Sequence, residues 1–370
     1  MDPKVNNIDE NNNTLTFTLY NTNVSIANAV RRIILSEIPC VVFKTIPYEN
    51  SKVTIEINTT KFNNEIIKQR LSCIPIHIDD MDFPIDDYIV ELDKSNDTNS
   101  AEYITTEDFK IKNIKLNNYL KEATVRKIFP KNDMTNYYID FIPLNPKLSD
   151  NINGEQLKLS CKLAIGTAKE QGMFNVVSTC SYKFTQDTGL MQIEWDKQET
   201  QLIKNGKIKE EIAFIKKDWL LLDAKRLYIK DSFDFIIETV GIYENFKLVV
   251  IACDVLIKKL NMLNIVLKTS YSLINESDNT MDNCYDITLE NEDYTIGKVL
   301  EYILYKKYFT EKQILTYCGF LKQHPHNNYS TIRLAFKNIV ENADITAILS
   351  DVIQSASEIF TKIKNNFTME

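Results

Sequence analysis

The chain has 370 residues, 44% of them hydrophobic, and a formal net charge of −8. That length and apolar content are enough for two or three domains with real cores. The acidic balance excludes a protein that holds nucleic acid mainly by its own electrostatics, because phosphate binding is driven by clustered Lys and Arg.

The first residues, Met1 to Asn13, are polar and acidic and have no apolar stretch of signal-peptide type. The longest apolar run, Leu248 to Cys253, falls far short of the roughly 20 residues that a membrane span needs. The protein is therefore expected to be soluble and unsecreted, with no membrane contact. Seven cysteines (Cys40, Cys73, Cys161, Cys180, Cys253, Cys284 and Cys318) are scattered without any CxxC pair. An odd, dispersed set fits reduced thiols better than a disulfide framework.

The first predicted element is a strand in which Leu15, Phe17 and Leu19 alternate with polar residues and so share one face. Polar turn residues follow, with Ser25 as the predicted N-cap of a helix that buries Ile26, Val30, Ile33 and Ile34 at helical spacing. Pro39 ends this helix, and an apolar strand, Cys40 to Phe43, begins.

Residues 49–223 change character to short alternating strands, such as Val53–Ile57 and Tyr137–Phe141, separated by polar loops. They are expected to form one inserted, β-rich domain. Phe233–Glu238 is then a predicted strand, Gly241 a turn and Leu248–Leu267 a long helix. Residues 269–283 are polar and predict a linker.

From Tyr285 the chain restates its beginning. Tyr285 to Tyr305 aligns without gaps on Leu15 to Leu35, so that Tyr285, Ile287 and Leu289 take the strand positions. Thr295 takes the predicted N-cap, and Ile296, Val299, Leu300, Ile303 and Leu304 take the helical stripe. A strand at Tyr329–Phe336 and a final helix follow. That helix carries Ile345, Leu349, Val352, Ile353, Ala356, Phe360 and Ile363 on one uninterrupted apolar face. A single strand–helix unit cannot cover its own apolar face, so the two copies are expected to pair with each other.

The residues of these elements resemble a known family. Ala27–Pro39 is similar to the signature helix of the alpha-like RNA polymerase subunits: the bacterial alpha amino-terminal domain, the archaeal D subunit and the third-largest subunit of RNA polymerase II. Ile67–Ile76 resembles that family's "HRLGLIPI" segment, with Gln69 and Ser72 departing from it. Ile165–Phe174 resembles its "KGIAKEHAKW" segment, with Gln171 and Phe174 departing, and Phe235–Gly241 resembles its "VESVG" strand. Asn291–Gly297 and Leu321–Pro325 resemble the "EDHTLGN" and "YxxxHP" segments of the smaller partner, of archaeal L or eleventh-subunit type.

The resemblance implies an α+β protein in which two alpha-like dimerisation units, fused in one chain, pair as a pseudo-dimer. Residues 1–48 and 224–268 would form the first (D-like) unit, 49–223 the insert, 269–283 the linker and 284–370 the second (L-like) unit. Such fusions are associated with nucleocytoplasmic large DNA viruses, which implies the host cytoplasm and the virion; otherwise the nucleus is expected. The implied function is a non-catalytic assembly platform that binds the two largest polymerase subunits and small subunits. DNA and RNA would be met only through the assembled complex, and no homo-oligomer is expected.

Asn28, Arg31, Arg32, Glu37, Arg70, Lys169 and Glu170 are the implied subunit contacts. Ile33, Ile34, Leu256, Leu260, Leu300, Ile303, Val352, Ile353 and Phe360 are the implied intramolecular pairing residues. Some relatives bind a metal through cysteines in the insert; Ile78–Asp87 stands at that place without a cysteine, so neither metal nor cofactor is expected.

Other residues admit rival readings. Arg31 and Arg32 could bind phosphate or lie on a solvated face, and Arg70 could order a loop. The run Asp79–Asp87 could hold a divalent cation, but a solvated acidic loop is the simpler reading. His324 and His326 lack a third ligand of matching spacing. Lys204–Lys209 with Lys216 and Lys217 form the one basic patch of note, which predicts a surface loop. No phosphate-binding glycine loop or nucleophile elbow occurs, so an enzyme with its own active site is not expected. The alternative is a stand-alone scaffold or nucleic-acid-binding factor that reuses the dimerisation fold.

Overall fold

The computed structural model describes residues 1–147, 149 and 153–368. They divide into two compact units: Met1–Ile33 with Thr179–Ile237 and Val249–Glu370, and Ile34–Ser178 with Glu238–Leu248. The division does not follow the expected boundaries at 49 and 223.

The first unit opens with strands β1 (Lys4–Asn11) and β2 (Thr14–Tyr20) and helix α1 (Val24–Ser36), which runs on into the second unit. It resumes with β3 (Val177–Gln186), helices α2 (Thr188–Lys204) and α3 (Lys209–Leu221), β4 (Tyr228–Thr239) and the long α4 (Asn245–Thr269). It ends with β5 (Ile274–Glu276), β6 (Cys284–Glu290), α5 (Tyr294–Leu304), β7 (Leu315–Leu321), β8 (Tyr329–Phe336) and α6 (Asn342–Asn365). One four-stranded sheet has the order β1-β2-β4-β3, and the other the order β5-β6-β8-β7. The second sheet repeats the first position for position. The protein is thus α+β, with the duplication carried through to topology.

The repeat is exact in its local physics as well. Leu15, Phe17 and Leu19 are buried on one face of β2, and Tyr285, Ile287 and Leu289 on one face of β6. After each strand an asparagine, Asn21 (φ 58°) and Asn291 (φ 56°), takes the left-handed conformation. Asparagine tolerates it because its short polar side chain can hydrogen-bond locally. The helix caps lie two residues earlier than expected. Asn23, not Ser25, caps α1 by accepting from the Ser25 amide at 2.9 Å. Asp293, not Thr295, caps α5 by accepting from the Thr295 amide at 2.8 Å. A side-chain oxygen must sit outside the helix to reach those first free amides, and Ser25 and Thr295 are already inside it.

The two copies share one core. Phe17 of β2 stacks on Phe235 of β4 with centroids 4.9 Å apart, and Phe367, just past α6, meets Phe17 edge-on at 4.8 Å. Helices α4 and α6 run antiparallel: Ser350 donates to Asn264 Oδ1 at 2.8 Å, and Lys364 to Asp254 Oδ1 at 2.7 Å. Their facing stripes, Leu256 and Leu260 on α4 and Val352, Ile353 and Phe360 on α6, are buried. Helix α5 approaches β7 so closely that a Cβ on Gly297 would stand 2.0 Å from the Phe320 ring. Ala27 holds the matching place in the first copy.

What differs between the copies is what is inserted. Between β3 and β4 lies the hairpin α2–α3, where the sequence pattern predicted β-rich structure. Its small core of Trp195, Ile212, Trp219 and Ala224 is its own. The corresponding β7–β8 connection, residues 322–328, carries no helix. The expected linker 269–283 is also partly ordered in pairs: β5 lies inside it and joins β6 antiparallel.

The second unit is β-rich. Strands Val53–Asn58, Gln156–Lys162, Tyr88–Ser95, Lys110–Asn113 and Asn118–Tyr119 form a five-stranded sheet in that order. The predicted strand at Tyr137–Phe141 lies instead at Asp140–Leu144, where Phe141, Ile142 and Leu144 are buried while Tyr137 is exposed. The core gathers Phe43, Phe109, Phe129 and Phe141, ring on ring. Among the described residues no helix is long and apolar enough to cross a membrane.

Acidic residues hold several of these parts in register. Across β6 and β8 the Arg333 guanidinium grips both carboxylate oxygens of Asp286, at 2.6 and 2.7 Å, and holds its pKa below the ordinary value. Asp351 on α6 is likewise held low: burial pushes upward, but the Tyr308 hydroxyl and the Lys307 ammonium outweigh it. A carboxylate with a depressed folded pKa contributes stability that is fully present above its unfolded pKa, near 4, and is lost as pH falls through the folded value. The melting temperature is therefore expected to hold between neutrality and about pH 5 and to fall below about pH 4. Arg333→Gln should flatten that fall; an unchanged acid limb in a pH series of thermal melts would rule the pair out as a contributor.

Candidate functional site

The sequence-predicted contact residues lie in three places, one in the first unit and two in the second. In the first unit, Asn28, Arg31 and Arg32 stand on α1. One helical turn separates Asn28 from Arg31, so the side-chain Oδ1 of Asn28 accepts from both Nε and Nη2 of Arg31, at 3.1 and 2.9 Å. Arg32 points elsewhere. Its Nη2 donates to Asp293 Oδ2 at 2.6 Å and its Nε to Thr295 Oγ1 at 2.8 Å.

Arg32 thus binds the cap of α5, so at least this arginine joins the two copies within the chain. The cap is a good cation site: Asp293 is already oriented by the Thr295 amide, and its other oxygen remains for the guanidinium. Both side chains are partly solvated, so screening limits the gain. Arg32→Ala is expected to cost about 1 kcal/mol in urea denaturation, against no effect for a purely solvated arginine.

Beside it, Lys259 of α4 meets Glu292 at 3.1 Å, with only 16% and 14% of the two side chains exposed. The apolar pairing set expected from sequence contains neither residue, nor Asp293. The signal for Asp293 was the helix-start position shared by the two copies, where Asn23 stands in the first. All nine expected pairing residues, Ile33, Ile34, Leu256, Leu260, Leu300, Ile303, Val352, Ile353 and Phe360, are buried.

In the second unit, Glu37, Lys169 and Glu170 come together. Strand Cys40–Val42 pairs antiparallel with Ala164–Gly166, which brings the following segment along the chain leaving α1. The Lys169 amide donates to Ser36 O at 2.7 Å. Its ammonium pairs with Glu37 at 3.1 Å, and Lys44 pairs with Glu170 at 3.3 Å. Gly166 permits this closeness, since a Cβ there would stand 2.8 Å from the Phe174 ring. Beneath the strap the Cys40 thiol donates to Phe174 O at 3.5 Å, and burial pushes its pKa up to about 12, so it is unreactive. The outer sides of Lys169 and Glu170 remain exposed.

Arg70 is separate from this strap. It is exposed at the end of helix Asn64–Ser72, with Nη2 3.5 Å from the Asp140 carbonyl and its guanidinium 6.0 Å from the Phe62 ring centroid. The same helix borders a groove of about 850 Å³ lined by Ile46, Tyr48, Ile55, Ile66, Lys68 and Met173. Tyr48 is 82% exposed and carries the Lys68 ammonium over its ring at 5.1 Å. Asn64, Glu65 and Gln69 line it too, so apolar and polar side chains share the groove around one exposed aromatic, a mixture suited to a protein partner.

The rival sites are occupied by local structure. In the acidic run Asp79 pairs with Lys247, which holds its pKa low, and Asp87 pairs with Lys115. His324 and His326 meet edge-on at 5.0 Å on the surface, the His326 amide donating to His324 Nδ1. Among the described residues no three His, Cys, Asp or Glu side chains gather as metal ligands would.

Comparison with known proteins bears on these sites. The family described as "RNA polymerase Rpb3/Rpb11 dimerisation domain" matches residues 16–260. That span opens in β2 and ends within α4. The chain is 25% identical over 307 residues to DNA-directed RNA polymerases IV and V subunit 3B of Arabidopsis thaliana, covering 72% of this chain and 88% of that protein. It is 25% identical over 292 residues to DNA-directed RNA polymerases II, IV and V subunit 3 of the same plant, covering 67% and 86%. A third relative is DNA-directed RNA polymerases I and III subunit RPAC1 of Saccharomyces cerevisiae, at 25% over 195 residues, 48% of this chain and 55% of that protein.

Proposed function

The chain belongs to the RNA polymerase Rpb3/Rpb11 dimerisation-domain family, and from this premise we propose that it is the assembly platform of a multisubunit DNA-dependent RNA polymerase. In this reading it fuses the larger and smaller alpha-like subunits and binds the two largest, catalytic subunits. The observation that carries the proposal is the pairing of two topologically equivalent sheet–helix units inside one compact unit. A dimerisation domain that already holds its partner has no need of a second chain to complete its core. Fusion replaces a bimolecular encounter by an intramolecular one at an effective concentration on the order of millimolar.

The proposal divides the polar residues into two sets. Arg32, Lys259, Glu292 and Asp293 serve the internal pairing. Asn28, Arg31, Glu37, Arg70, Lys169 and Glu170, with the Tyr48 groove, serve the contacts to the catalytic subunits and small subunits. The strap is suited to that role because Lys169 and Glu170 are each half-engaged by an internal ion pair that fixes their position while one side stays open. Nucleic acid is reached through the assembled complex, in keeping with the net charge of −8.

Affinity purification of the tagged full-length chain from its native source tests this. Recovery of the two largest polymerase subunits in equal amounts, with transcription activity, is the expected result. Recovery of the chain alone, or with DNA and no polymerase, would overturn the proposal and favour a scaffold that has kept the fold and changed its use.

A further inference from the structure

A duplicated unit can mistake its like for its partner. The inner stripes of the two copies are nearly the same: Ile26, Val30, Ile33 and Ile34 on α1 stand at the positions of Ile296, Leu300, Ile303 and Leu304 on α5, and all of them are buried. Surfaces so alike supply apolar area without choosing a partner, because burial is not directional. By this area alone, the first copy of one chain could cover its face with the first copy of another.

The polar residues that border the stripes are not alike. At the helix starts, Thr22 and Asn23 of the first copy stand where the second has Glu292 and Asp293; further along the helix, Arg32 stands where the second has Tyr302. In the folded chain both carboxylates of the second copy meet bases of the first. Arg32 Nη2 donates to Asp293 at 2.6 Å, and the Lys259 ammonium lies 3.1 Å from Glu292. The mirror half of the seam has a neutral helix start. Thr22 is 3% exposed with its hydroxyl 3.6 Å from the Met1 sulfur, and Asn23 is engaged by the Ser25 amide. Two carboxylates stand near this half, Asp2 and Asp231, but both are exposed, and Asp2 is paired with Lys362 at 2.9 Å.

We propose that this one-sided charge is a pairing code: Lys259 and Arg32 of the first copy, with Glu292 and Asp293 of the second, make each copy accept the other and reject a second copy of its own kind. Lys259 discriminates most. Pairing two first copies would set Lys259 of each against Thr22 of the other and leave two desolvated ammoniums without a carboxylate, the state that costs a buried pair most. Arg32 adds less, because it is partly solvated and the exposed Asp231 lies near the place it would reach. Pairing two second copies would set Asp293 of each against Tyr302 of the other, a phenol in place of a guanidinium. Charge placed beside an apolar seam commonly sets partner choice in this way. Tethering favours the internal pairing once the chain is complete. The code acts before that, when first copies, synthesised ahead of the second, can meet each other.

The inference does not rest on the polymerase reading, because it concerns pairing within the chain and its test reads only mass and stability. Two variants of the full-length chain strand Lys259 and Arg32 in the same way. In the neutral variant, Glu292→Thr with Asp293→Asn gives the second copy the helix start of the first. In the exchanged variant, Thr22→Glu and Asn23→Asp are added, so that the carboxylates move to the first copy. Every new side chain already occupies the equivalent backbone position in the other copy. Each chain is refolded from urea and followed by sedimentation velocity over a wide range of concentration.

The unaltered chain is expected at its monomer mass of 42.9 kDa throughout. The neutral variant should unfold at lower urea and remain monomeric. The exchanged variant should shift to twice the monomer mass as concentration rises, because only another first copy offers its Lys259 a carboxylate. Adding Lys259→Met and Arg32→Tyr to the exchanged variant should return it to the monomer. Dimers of the unaltered chain, equal association by the two variants, an exchanged variant that is monomeric or unfolded at every concentration, or dimers that survive removal of both bases would each overturn the proposal.

Discussion

Ile353→Asp is expected to leave no folded first unit at ordinary temperature. Ile353 sits on the α6 stripe, 1% exposed, between Val352 and Ala356, which are wholly buried. Aspartate there removes the branched aliphatic side chain and puts a carboxylate in its place. Emptying such a site costs about 2–5 kcal/mol, and burying an ionisable group without a partner adds at least another few. Together these approach the roughly 5–15 kcal/mol that holds a typical domain together.

Urea denaturation of Ile353→Val, expected to lose only about 1 kcal/mol, provides the scale. A soluble, cooperative Ile353→Asp chain would mean that α6 does not form the shared core. The same variant would then be expected in assembled polymerase, which sets this stability result apart from the functional proposal.

The second large effect concerns charge rather than volume. Lys259 and Glu292 face each other at 3.1 Å with little access to water. Removing one member of such a pair leaves the other charged and desolvated. Lys259→Met is therefore expected to cost about 3–5 kcal/mol. Replacing both partners, Lys259→Met with Glu292→Gln, should recover most of the loss, because no charge is then stranded. A double-mutant cycle in urea measures this directly. If the single and double variants lose the same stability, the pair contributes no coupling and the polar part of the copy-to-copy interface rests on Arg32 and Asp293 alone.

The two predictions together separate what an apolar stripe does from what a polar pair does. The stripe of α6 supplies the area that drives pairing, while Lys259–Glu292 and Arg32–Asp293 set how the helix starts and the long helix meet. Apolar surface is tolerant of sliding, and a buried ion pair is not. The Lys259–Glu292 pair is thus suited to fixing register, the use for which buried charges are best attested.

The sequence by itself determined the duplication. Strand alternation at Leu15, Phe17 and Leu19 and at Tyr285, Ile287 and Leu289, followed by stripes of period 3.6, dictates two amphipathic strand–helix units whose faces must be covered. The long α6 stripe was equally legible, because local periodicity decides it. Three things were decided only by the tertiary structure. The caps fell on Asn23 and Asp293 because a cap is defined by which amides remain unpaired, and that depends on where the preceding turn delivers the chain.

The hairpin α2–α3 was hidden within a stretch read as β-rich. Its helices pack through two tryptophans and leave apolar side chains in water, which blurs the one-sided pattern that sequence reading relies on. The partner of Arg32 was invisible for the simplest reason. A guanidinium on a helix announces its charge, but the carboxylate it meets lies 261 positions away along the chain, and only folding brings them together.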